Sequence, residues 1–61
     1  MKYQNAELVK CVEREIALRV RVYARRVSEG KMLQETAARE IEMMRQVLEI
    51  VKAQEKELFP R

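Results

Sequence analysis

Two runs of apolar residues at helical spacing flank one glycine, Gly30. Val9, Val12, Ile16, Val20, Tyr23 and Val27 recur every three or four residues before it, and Leu33, Ala37, Ile41, Met44, Leu48 and Val51 do so after it. Each run marks one face of a helix. Two helices reversed at a glycine predict an all-α, two-helix antiparallel hairpin in a single domain, residues 1–61. Helix one is expected over about 5–28, the turn over about 29–32 and helix two over about 33–58.

Local signals agree with this division in most places. Asn5 is a residue type that caps helices, with Glu7 in the favourable first turn. Ser28-Glu29-Gly30 reads as a helix end in which glycine takes the left-handed conformation at little cost. Helix two begins at Leu33 or Gln34, where Glu35 suits the helix dipole but no capping side chain precedes it. Phe59-Pro60 is expected to end it, because a residue before proline is pushed out of the helical region. Arg19-Val20-Arg21-Val22-Tyr23 alternates as a strand would. The helical period continues on both sides of that segment and overrules it.

A fold at Gly30 pairs residues whose numbers sum to about 61. Ile16 then meets Met44, Val20 meets Ile41, Val12 meets Leu48 and Val9 meets Val51, while Tyr23 meets the small Ala37 and Ala38. Arg26 is expected near Glu35 and Arg19 near Glu42, pairs that contribute only about 0–1 kcal/mol when exposed.

A second apolar set lies beside the first: Leu8, Cys11, Leu18 and Val22 on helix one, with Met43, Val47 and Ile50 on helix two. Two helices bury one seam, so this second seam is the expected oligomer interface. Covering a large apolar side chain is worth about 1.5–3 kcal/mol, and the simplest closure is a symmetric homodimer forming a four-helix bundle. Size points the same way. A chain of 61 residues buries only about 60% of its unfolded surface, and small scaffolds usually need disulfides, a metal or association. One cysteine and no histidine exclude an internal disulfide and the Cys/His zinc patterns.

The hydrophobic share of 48% and charged share of 38% suit amphipathic helices rather than disorder. Net charge is +3, and the excess lies before Gly30: residues 1–29 hold seven Lys/Arg against four Glu, residues 30–61 six against six. Arg19, Arg21, Arg25 and Arg26 crowd within eight residues, and Arg14, Arg21 and Arg25 share a helical face. These five arginines are the candidate nucleic-acid contacts, since a basic helix can neutralise phosphates; the competing reading is a solvated face paired with glutamates.

Other chemistry finds little footing. Cys11, on the second seam, reads as a small buried hydrophobe, with a reactive or intersubunit thiol as the alternative and no histidine to activate it. Glu13, Glu15, Glu40 and Glu42 resemble paired carboxylates, but the Glu-x-x-His partner of helical di-metal sites is missing, so neither metal nor cofactor is expected. Met43 and Met44 read as core filling, with a partner helix as the second use. No base, nucleophile and orienting group can be assembled, so the chain is expected to be no enzyme. No apolar run approaches the roughly 20 residues of a membrane span, and the first five residues lack the apolar core of a signal peptide. A cytoplasmic, self-associating interaction protein is the expected function, and a nucleic-acid accessory protein the alternative.

Glu13-Arg14-Glu15 leading to Arg19, then Val22-Tyr23, Arg26, Gly30-Lys31-Met32, Ala38-Arg39-Glu40-Ile41, Met44 and Val47 resemble a group of short uncharacterised helical-hairpin proteins of bacteria and their phages. The resemblance covers roughly residues 8 to 51. It implies the hairpin and no particular activity. Ala24 stands where a proline often follows the tyrosine, which implies a straighter helix one. Leu33 stands where a capping Ser or Thr is usual.

Overall fold

The computed structural model describes residues 2–58, with side chains as far as Gln54. Helix α1 runs Asn5–Ser28 and α2 runs Gln34–Leu58, packed as an antiparallel hairpin. The molecule is a rod of 48 × 18 × 15 Å. The alternating segment Arg19–Tyr23 is helical throughout. The stop expected at Phe59-Pro60 lies outside the described residues.

The turn closes as glycine allows. Gly30 has φ of 73°, its N–H donates to the Val27 carbonyl at 3.0 Å and the Lys31 N–H donates to the Arg26 carbonyl at 2.8 Å. Two last-turn carbonyls are thereby satisfied in the glycine-terminated pattern, with Arg25 and Arg26 placed favourably in the last turn.

The start of α2 at Gln34 is as expected, and the cap of α1 is not. Gln4, not Asn5, is the N-cap of α1, and its side chain makes no capping bond. Asn5 is the first helical residue, and its Nδ2 donates 3.1 Å to the main-chain carbonyl of Val51 on α2. A tertiary bond has taken a side chain that sequence rules assign to a cap. At α2 the Leu33 carbonyl accepts from the Ala37 N–H at 3.0 Å, so Leu33 is itself the N-cap. Its side chain is 73% exposed, while Met32 is half-buried in its place.

The seam between the helices follows Asn5, Val9, Val12, Ile16, Arg19, Tyr23 and Val27 against Ala37, Ile41, Met44, Leu48 and Val51. From Asn5 to Tyr23 the spacing alternates four and three, the 3.5-residue repeat of helices that wrap around each other. That repeat puts Arg19 on the seam and leaves Val20 39% exposed, correcting the expected stripe. The core is small. Among the described residues only Ile16, at 6% exposure, and Ala37, at 7%, are buried.

Candidate interaction faces

Each residue of the second apolar set immediately precedes a seam residue: Leu8 before Val9, Cys11 before Val12, Leu18 before Arg19, Val22 before Tyr23, Met43 before Met44, Val47 before Leu48 and Ile50 before Val51. One step back along an α-helix is a rotation of about 100°. In an antiparallel pair the same rotation on both helices points to the same side, so all seven lie on one long face of the hairpin. Leu8 is half-buried, whereas Cys11, Leu18, Val22, Met43, Val47 and Ile50 are exposed. Cys11, placed on this second seam by its spacing, is exposed in the single hairpin.

Three charged residues sit near the middle of this face. Glu15 and Glu40 also precede seam residues, and both are half-buried with Arg19. Arg19 Nε donates to Glu15 Oε1 at 3.0 Å, one turn along the same helix, while its aliphatic stem runs along the seam. The Glu15 hydrogen bond is the main cause of a raised Arg19 pKa; partial burial opposes it, and the charges of Tyr23, Glu15 and Glu40 add to it. A cation whose pKa rises on folding contributes stability that is lost only as pH climbs through that pKa. For a guanidinium this lies in strongly alkaline solution, so the contribution is constant around neutrality. Arg19 thus meets Glu15 and feels Glu40, not the expected Glu42.

The opposite long face is unlike the first. Residues that immediately follow seam positions, among them Glu13, Ala17 and Val20 on α1 and Arg45 on α2, border a shallow groove of about 820 Å³ that Ile16, Leu48 and, from the apolar set, Leu18 also line. Arg14 and Arg21 stand on its α1 edge. The five arginines singled out in the sequence are divided by the fold: Arg14 and Arg21 flank the groove, Arg25 and Arg26 are exposed near the turn, and Arg19 is bound to Glu15. Arg45 was missed by sequence reasoning, and Glu40 was read there only as one of four paired carboxylates, because each acquires its meaning from the helix opposite. The spacing Arg45, Leu48, Lys52 is the signal that places Arg45 on a flank of α2.

The chain exposes 5504 Å². A compact folded protein of 7.3 kDa exposes about 4,200 Å² on the usual scaling, so the excess is roughly 1,300 Å². A standard protein interface removes about 800 Å² from each partner.

Among the described residues no group of three His, Cys, Asp or Glu side chains could hold a metal ion. None of the described helices is long and apolar enough to cross a membrane. The fold and its surfaces define the molecule as a two-helix hairpin with one apolar long face and one of mixed charge, on which Lys10, Arg45 and Lys52 stand among Glu13, Glu42 and Glu49. No protein-family model, curated protein or solved structure matches the chain, so the resemblance to short bacterial and phage hairpins rests on the residues quoted for it.

Proposed function

We propose that the chain is a small non-enzymatic structural or interaction protein, cytoplasmic in setting, that self-associates through Leu8, Cys11, Leu18, Val22, Met43, Val47 and Ile50. Two copies close a four-helix bundle. The observation that carries this reading is the disproportion between core and face: among the described residues only Ile16 and Ala37 are buried and the rest of the seam is half-buried, while five large apolar side chains of the second seam stand exposed on one side. A core of that size supplies less than the roughly 3–5 kcal/mol of a typical small scaffold, and the surplus surface exceeds what one partner contributes to a standard interface.

Sedimentation or light scattering at micromolar concentration tests the reading. A mass of twice 7.3 kDa is expected, and Val47→Glu should halve it with loss of helicity, because the released hairpin is marginal. A well-folded particle of 7.3 kDa overturns the proposal.

A further inference from the structure

We propose that the outer ridge of α1 binds the phosphate backbone of duplex DNA without reading its sequence. Arg14, Arg21 and Arg25 follow one another at seven and four residues, which places them within about 40° around the helix; Lys10, four residues before Arg14, widens the arc by about 20°. All four are exposed, and none makes an ion pair among the described residues. Glu7, in the first turn, is the acid on this arc, whereas Glu13 lies toward the groove and Glu29 pairs with Lys31 at 3.9 Å. From Lys10 to Arg25 the ridge is a straight line of cations about 22 Å long. Arg19, bound to Glu15, and Arg26, which immediately precedes the seam residue Val27, do not join it. The ridge points away from both the α2 seam and the apolar set, so it stays outside whether or not two hairpins associate.

The residues around the cations select the partner. Ala17 is the side chain that stands between Arg14 and Arg21 on this side of α1, and Leu18 belongs to the apolar set, so a membrane or a partner helix finds no large apolar group on the ridge to bury. No aromatic ring stands there to stack the bases of a single strand, and no Asn or Gln to read base edges. A duplex offers what the ridge can use: a stiff line with a phosphate about every 3.4 Å of axis on each strand, within reach of guanidinium groups that hold phosphate through paired hydrogen bonds. The outer side of α2 is different, with Glu35, Glu42 and Glu49 at seven-residue intervals beside Arg39 and Gln46. Repulsion there directs the duplex to the α1 edge.

Fluorescence anisotropy with the full chain and a short, labelled, random-sequence DNA duplex tests this. Affinity should fall with salt at a log-log slope of about −3 to −4, four phosphate contacts at roughly 0.9 each. Arg14→Gln combined with Arg21→Gln should weaken binding about tenfold or more at low salt and reduce the slope by about 2, and Lys10→Gln alone should reduce it by about 1. Arg39→Gln combined with Arg45→Gln removes the same charge away from the ridge and should change affinity by less than about twofold. Helicity and sedimentation mass should match the parent in every variant. Equal losses in the two double variants overturn the proposal, because net charge would then explain the binding. So do no binding at low salt, tighter binding of single-stranded DNA, equal binding of polyglutamate, or a sedimentation mass altered by the ridge replacements.

Discussion

The side-chain amide of Asn5 donates to the main-chain carbonyl of Val51 across 3.1 Å, tying the first residue of α1 to α2 at the open end of the hairpin. The bond joins residues 46 positions apart in sequence. Asn5 Oδ1 is buried without a partner, so the amide is held for its donor.

That geometry makes Asn5→Asp more harmful than Asn5→Ala. Alanine loses one hydrogen bond, about 1 kcal/mol, whereas aspartate sets a carboxylate against a carbonyl. At a true N-cap the two acids-and-amides would be interchangeable. Urea unfolding of the three proteins decides: aspartate at least as stable as asparagine would mean that Asn5 works as a cap.

Gly30→Ala should destabilise the hairpin by about 1 kcal/mol from conformation alone. A Cβ there meets nothing within 4 Å, so the cost comes from φ of 73° and not from a clash. Asparagine, which tolerates the left-handed region, should cost less than alanine. Thermal unfolding that ranks Asn below Ala would contradict this account of the turn.

Leu33 is the place where the chain can be improved. Its carbonyl already accepts the Ala37 N–H, while its exposed side chain caps nothing. Leu33→Asp or Leu33→Ser should stabilise by roughly 0.5–2 kcal/mol through a side-chain cap on α2, with aspartate favoured by the helix dipole. A chemical-denaturation midpoint that falls would show the leucine to be engaged in contacts of its own.

Cys11 reports on the proposed assembly. Its thiol is exposed in the hairpin and stands on the apolar face, so its reaction with a thiol reagent should slow severalfold as protein concentration rises through the association range, by mass action. In Val47→Glu the rate should stay at the dilute value. A rate independent of concentration in the parent protein, measured where its mass has doubled, would place the interface elsewhere.

Arg19 and Val20 mark where the sequence pattern stopped being sufficient. Both stand near the edge of the stripe on a helical wheel, and hydropathy favours the valine. Packing against α2 draws the seam toward a 3.5-residue repeat, and over the length of α1 the drift is enough to exchange the two. Arginine is tolerated because its stem is apolar and Glu15 stands one turn away to receive its head. The arginine cluster was legible as charge but not as a site, since pairing of the helices draws Arg19 onto the seam and leaves Arg14, Arg21 and Arg25 outside.

The sequence by itself determined the two helices, the reversal at Gly30 and the presence of a second apolar set, because helical periodicity and the left-handed freedom of glycine are properties of neighbouring residues. The tertiary structure alone decided which residues share a side: Asn5 with Val51, Arg19 between Glu15 and Glu40, and Arg45 across the groove from Arg21. Those relationships depend on the phase and register of one helix against the other, and both are set by packing along the whole interface.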